Sequence, residues 1–148
     1  MNQVEQLKNN EFIYLSNRMC MTMDLGVHNN CFGGTLLGFL DQSAAIFAAE
    51  VCDSPHVVTR NMSNVDFIAP VKVGNIMKTY GRIKRIGNTS LTLDMEIRKH
   101  NVHNEVESVV LKSEMTFVKI DDEGNPIPIS DRIKAKFGFL KEEMKKVV

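Results

Sequence analysis

Asn29-Asn30-Cys31-Phe32-Gly33-Gly34-Thr35-Leu36-Leu37-Gly38-Phe39-Leu40-Asp41 is the stretch on which the reading of this chain turns. A glycine pair opens a long apolar helix, and a single carboxylate sits two turns inside it. An unpaired charge in such a helix is costly, so Asp41 needs either a partner or a chemical role. The spacing predicts one long helix over residues 35–52, rich in Leu, Phe and Ala, with no Gly after Gly38 and no Pro before Pro55. It is apolar around most of its circumference, the mark of a buried helix.

Angular placement sharpens the role of Asp41. With Asp41 at 0°, Gly34 falls at about 20°, Ala45 at about 40°, Gly38 at about 60°, Ala48 at about −20° and Ala44 at about −60°. Leu37, at about −40°, is the one bulky neighbour on this arc. Thr35, Gln42, Ser43 and Glu50 lie at roughly 100–200°, so Asp41 stands apart from the polar face, on a stripe of small residues. The first N–H groups of a helix lack internal partners and carry partial positive charge. A carbonyl docked on the Gly34 amide would be polarised there, and an oxyanion stabilised. Asp41 lies about 10 Å further along the axis, its side chain leaning back toward the glycines. It is placed to act as general base or as nucleophile. The same small residues also suit close packing of a curved sheet, which leaves a structural role for the stripe open.

Outward from the helix, Asn17–Met23 reads as a strand and Asp24–Asn30 as a loop. His56–Phe67, Asn75–Ile86, Thr89–Lys99 and Glu105–Ile120 are rich in Val, Ile, Thr and Met and read as four further strands. Gly87-Asn88 marks a tight hairpin turn, and His100–Asn104 a longer one. Short connections imply antiparallel pairing. The fold class expected is α+β, one domain over residues 1–148 with a core of about 17–120 and a peripheral C-terminal tail. Residues 2–12 are expected as a short helix or a frayed end. A single sheet covers one side of a helix, so the remaining apolar surface predicts a dimer.

Composition excludes several classes. The 148 residues carry 18 Lys plus Arg against 18 Asp plus Glu, so no global field favours nucleic acid or an anionic membrane. Cys20, Cys31 and Cys52 match no zinc spacing, and no metal is expected. No signal segment or run of spanning length is read at the N-terminus, and a cytoplasmic address is expected.

Phe32-Gly33-Gly34, the helix with Asp41, Val57-Val58-Thr59, Val65-Asp66-Phe67, Ala69-Pro70-Val71, Val73-Gly74 and Arg85-Ile86-Gly87-Asn88-Thr89-Ser90 occur here in one order. This ordered set resembles the hotdog-fold acyl-CoA thioesterases, most closely the bacterial YciA-like and eukaryotic cytosolic acyl-CoA hydrolases, over about residues 17–120. The resemblance implies a five- to six-stranded antiparallel sheet wrapped around a long central helix. It implies a dimer with composite active sites, often built into a hexamer, and hydrolysis of acyl-CoA to free acid and CoA without a further cofactor. Asp41 takes the position of the catalytic base or nucleophile, and Gly34 that of the amide on the thioester carbonyl. Arg85, Thr89 and Ser90 become candidate CoA contacts. The family segment Asn-x-x-Gly-Asn-x-Phe-Gly-Gly is matched at Asn30, while Gly26 stands for its first Asn and Asn29 for its Gly.

Other residues are weighed beside this set. Asn30 is a catalytic candidate. Asn29, Gly33, Thr59 and Arg60 are candidate substrate or CoA contacts, Arg60 having an ion pair with Asp66 as its plainer explanation. Strand alternation places Thr59, Asn61 and Ser63 on one face and Arg60, Met62, Asn64 and Asp66 on the other. So much polarity suggests an edge, a dimer seam or a site wall. Lys72, Lys78, Arg82, Lys84 and Arg85 read mainly as a solvated basic face. Met19, Met21 and Met23 are placed to border a pliable acyl pocket. Cys31 reads as a small buried residue. Two other functions stay open: a hydratase or dehydratase of the same fold, which needs a His paired with an acid, and a non-catalytic acyl-CoA-binding module.

Overall fold

The computed structural model describes residues 2–140. After a short capped helix α1 (Gln3–Lys8), the chain forms β1 (Ile13–Met19), a 3-10 turn (Thr22–Asp24) and the central helix α2 (Gly33–Cys52). Four long strands follow, β2 (Val57–Phe67), β3 (Ile76–Ile86), β4 (Ser90–His100) and β5 (Glu107–Lys119), then α3 (Asp131–Lys136). The strands form one antiparallel sheet in the order β1-β3-β4-β5-β2. β1 lies at Ile13–Met19 rather than 17–23, because Cys20 onward turns away to reach the helix.

The inner sheet face carries Met77, Ile83, Leu91, Leu93, Met95, Ile97, Leu111, Met115 and Phe117, all buried against α2. From the helix come Leu36, Phe39, Leu40, Ala44, Phe47, Ala48 and Val51. Gly81 sets the closeness of this packing: a Cβ there would stand 2.7 Å from Met95 Sδ and 3.1 Å from the Phe47 ring. Ser43, grouped by angle with the polar face, is instead buried. Its Oγ bonds Ser16 Oγ at 2.7 Å and Thr79 Oγ1 at 3.0 Å, and those two hydroxyls bond each other at 2.8 Å. This cluster ties α2 to β1 and β3 while leaving no buried polar atom unsatisfied among the described residues.

The opposite side of α2 is open: Gly34, Gly38, Gln42, Ile46 and Glu50 are exposed. The helix is long and apolar enough to cross a membrane by composition, but half of that apolar stretch is buried against the sheet, as in a core helix.

The tail departs from the peripheral expectation. Ile129, Ile133, Phe137 and Leu140 are buried, and the Ile129 N–H donates to Asn88 O at 2.8 Å. Apolar residues three and four positions apart close the end of the core beyond the helix. The lysine-rich end beyond Leu140 lies outside the described residues.

The outer sheet face is a charged ladder. Arg82 pairs with Asp94, Lys84 with Glu114 and Arg98 with Glu96. Glu107 accepts from the Tyr80 hydroxyl and faces Lys78 Nζ at 3.3 Å and His100 Nδ1 at 2.9 Å. Burial alone would raise the Glu107 carboxyl, but the hydrogen bonds from Tyr80, His100 and Lys78 outweigh it and hold it below the ordinary value. Burial, with Glu107 beside it, pushes the Tyr80 phenol up to about 12.

Two stability measurements follow. Thr79 also accepts the Ser16 N–H at 3.2 Å, so Thr79→Val strands more groups than Ser43→Ala. Urea unfolding should give a loss of about 2 kcal/mol for Thr79→Val and about 1 kcal/mol for Ser43→Ala; the reverse order would contradict the hydroxyl hub. For Glu107, the depressed folded value means stabilisation present above the unfolded carboxyl range and lost as pH falls below it. The stability gap between wild type and Glu107→Gln should therefore shrink as pH drops below about 4.5.

Candidate active site

The helix start is assembled from three segments. Phe32 caps α2 without a side-chain bond, its carbonyl accepting the N–H groups of Thr35 at 2.9 Å and Leu36 at 3.1 Å. The N–H groups of Gly33 and Gly34 receive no acceptor from the described residues. Two rings wall them. A Cβ on Gly34 would stand 2.7 Å from the Phe32 ring, and one on Gly33 3.2 Å from the Phe67 ring. Both rings are at least half exposed.

The loop before the helix explains the departure at Asn29. It is a tight reversal, with Gly26 N donating to Asn30 O at 2.8 Å and Asn29 N to Gly26 O at 3.1 Å. Asn29 has φ 60°, a left-handed conformation that suits Gly and is tolerated by Asn better than by most residues. At Gly26, a Cβ would stand 3.4 Å from the Phe32 ring, an ordinary van der Waals contact, so packing does not itself require glycine there.

Asp24 is a structural support of the helix start that sequence reasoning missed. Its carboxylate is 4% exposed, paired with Arg18, and accepts the Met21 N–H at 2.8 Å. Its carbonyl accepts the Phe32 N–H at 2.8 Å. One residue thus joins the end of β1 to the start of α2. No periodic signal links Arg18 to Asp24 across a turn.

Asp41 lies on the flank of α2, half-buried, where Thr59 Oγ1 donates to its Oδ1 at 2.6 Å. Thr59 stands on the sheet's edge strand, as the polarity of β2 suggested. The simple alternation expected for this strand fails. A bulge between Thr59 and Asn61, and another between Ser63 and Asp66 with Asn64 at φ 52°, reset the faces. Thr59 pairs with Phe117 and Met62 with Met115 on the helix side, while Asn61 and Ser63 pair with Thr116 and Glu114 on the outer side. Arg60 occupies the first bulge, exposed, and no ion pair joins it to Asp66 among the described residues.

The small-residue stripe divides. Ala44 and Ala48 are buried against the sheet, which is the packing explanation; Gly34 and Gly38 face the open side. The structure therefore brings together Gly33, Gly34, Asn29 and Asn30 at the helix start, and Asp41, Thr59 and Arg60 two turns along.

Arg85, Thr89 and Ser90 are not brought to this group within the chain. Arg85 donates to Thr92 Oγ1 at 3.3 Å on the outer sheet face, so the sheet lies between it and Asp41. Ser90 and Thr89 hold the β3–β4 turn through Gly87 N to Ser90 O at 2.7 Å and Lys119 N to Thr89 O at 3.0 Å. Cys31 is a small buried residue, and burial, helped by Cys20 and Asp24 against the opposing Arg18, pushes its thiol up to about 12. His28 is exposed in the loop. The His–carboxylate contact of the described residues, His100 with Glu107, lies on the outer face, where a hydratase centred on Asp41 could not use it. No group of His, Cys, Asp and Glu among the described residues is arranged to hold a metal ion.

Comparison with known proteins places this architecture. An acyl-CoA thioester hydrolase of Zymomonas mobilis is 32% identical over 112 residues, which cover 75% of this chain and 74% of that protein. The acyl-CoA hydrolase of Staphylococcus aureus, solved with butyryl coenzyme A, coenzyme A and coenzyme A disulfide, superposes with TM-score 0.74 at 30% identity, over 91% of this chain and 85% of that one. A hexameric hotdog-fold thioesterase of Campylobacter jejuni superposes with TM-score 0.73 at 32% identity, over 83% and 94%. The family model for the thioesterase superfamily matches residues 28–106, more than half of the chain. With its sheet wrapped on α2 and its open glycine amides, the chain belongs to the thioesterase superfamily.

Proposed function

We propose that this protein hydrolyses acyl-CoA thioesters, with Asp41 as the catalytic carboxylate. The observation that carries this reading is the Thr59–Asp41 hydrogen bond at 2.6 Å, on the helix whose Gly33 and Gly34 amides are left open. Thr59 occupies one carboxylate oxygen and leaves the other to accept a proton from water. The thioester oxygen docks on the Gly34 N–H, where the helix dipole and the free amide favour developing negative charge. Water attacks the carbonyl carbon as its proton passes to Asp41. The tetrahedral oxyanion then collapses, the C–S bond breaks, and the proton leaves with the CoA thiolate. Direct attack by Asp41 would instead give an acyl anhydride that water opens; both routes use the same ionised carboxylate.

Gly34 and Asp41 of one chain are about 10 Å apart along the helix axis, more than one carbonyl spans. A composite site, in which the Gly34 amide of one subunit faces Asp41 of another, closes that gap. The open face of α2 with exposed Ile46, and the edge strand β2 with exposed Val58, Val65 and Phe67, supply the apolar surface for such a dimer. The hexamer of the Campylobacter thioesterase is the assembly we propose for this chain as well. In it, Arg60 at the β2 bulge is the candidate contact for a CoA phosphate. Arg85, Thr89 and Ser90 would reach only a neighbouring subunit's CoA. CoA enters as part of the substrate, no separate cofactor takes part, and the site of action is cytoplasmic.

Thiol release from acyl-CoA of graded chain length tests the reading. Asp41→Asn should lower turnover at least about a hundredfold while CoA still binds. Equal turnover by the variant would remove Asp41 from the mechanism, and CoA binding without thiol release by wild type would favour a binding module. Light scattering should give a hexamer; a stable monomer would contradict the composite site.

A further inference from the structure

The Lys72 ammonium donates to Asn30 Oδ1 across 42 positions of sequence. Lysine has only donors, so the carboxamide atom facing it must be the oxygen. That fixes the orientation of Asn30, and its NH2 points away from Lys72. No described residue accepts a hydrogen bond from that NH2.

Both backbones are held in place independently. Asn30 O accepts Gly26 N at 2.8 Å, and the next residue, Cys31, donates its N–H to Val71 O at 2.8 Å. On the other side, Lys72 N donates to Asn75 Oδ1 at 2.8 Å, and Asn75 N to Lys72 O at 3.0 Å. Gly74 at φ 85° closes this turn. The Lys72 side chain thus starts from a fixed turn that is itself bonded to the helix entrance.

We propose that Lys72 is a positioning residue: it clamps the Asn30 carboxamide so that the Asn30 NH2 stands ready as a side-chain donor at the entrance to the Gly33-Gly34 amides. Gly26 offers no side chain there, which leaves Asn30 to supply it. This rests on the thioesterase reading, and its tests separate the two.

Steady-state thiol release by Lys72→Met, Lys72→Arg, Asn30→Ala and Lys72→Met/Asn30→Ala carries the first test. Lys72→Met should lower kcat about tenfold with KM within about twofold, since the loss is one of orientation. Lys72→Arg should recover most of it. The double variant should be no worse than Asn30→Ala, because Lys72 acts through Asn30. Melting temperature should stay at the wild-type value, Lys72 being exposed. Unchanged kcat, losses that multiply, or a rise confined to KM would overturn the proposal; the last would make Lys72 a direct CoA contact. The second test is free of turnover. High-resolution crystal structures should show one Asn30 rotamer in wild type and several in Lys72→Met. A single unchanged rotamer in the variant would overturn the clamp even if activity fell. A wild type silent on every acyl-CoA would overturn the thioesterase reading and with it any catalytic use of the clamp, while the rotamers would still decide whether the clamp exists.

Discussion

Everything else in this structure depends on burying one flank of a twenty-residue helix in a single curved sheet. The inner rows of β3, β4 and β5 supply large side chains, Gly81 admits Phe47, and Ala44 and Ala48 bring the helix close. Burial of this much apolar surface is the dominant favourable term in the fold. One sheet cannot enclose a helix, so the other flank stays open. Asp41 sits on the border between the two, close enough to the sheet for Thr59 to bond it and open enough for water to reach it. The cost of a charge in an apolar helix is met by that placement.

The second constraint is the way the chain enters the helix. Phe32 has no side-chain cap, and the Gly33 and Gly34 amides are left to an outside acceptor. An entrance so sparsely satisfied needs support from behind. Asp24 gives it from β1 through Arg18, and the turn at Val71–Asn75 gives it from β3 through Cys31 and Lys72. The hydrogen-bonded parts lie behind the amides, and the exposed Phe32 and Phe67 rings lie beside them.

Much of the candidate site's placement was legible in sequence because it is local. Gly33-Gly34 before an apolar run states an open helix start, and the angular position of Asp41 follows from a fixed rise and twist. Asn29 was equally local, yet its reason, a left-handed backbone, became visible only in the folded loop. What was hidden depended on pairing. Alternation along β2 misplaced Asn61 and Ser63 because bulges insert single residues that no composition marks. Arg85, a candidate CoA contact by resemblance, projects within the chain from the outer sheet face, away from Asp41. Ser43 looked solvated until Ser16 and Thr79 met it from two other strands. The tail looked peripheral because its four buried residues are diluted by charge.

By itself, the sequence determined the long helix and the place of its carboxylate, the succession of strands along the chain and their antiparallel sense. Each follows from periodicity, turn residues and backbone geometry acting over a few positions. Only tertiary structure decided which side chains share a space: Thr59 with Asp41, Asp24 with Arg18 and the Phe32 amide, Lys72 with Asn30. These contacts form where strands far apart in sequence are brought level, and register and bulges set them. Register is a property of the assembled sheet, fixed by the burial of its inner face, and no single segment carries it.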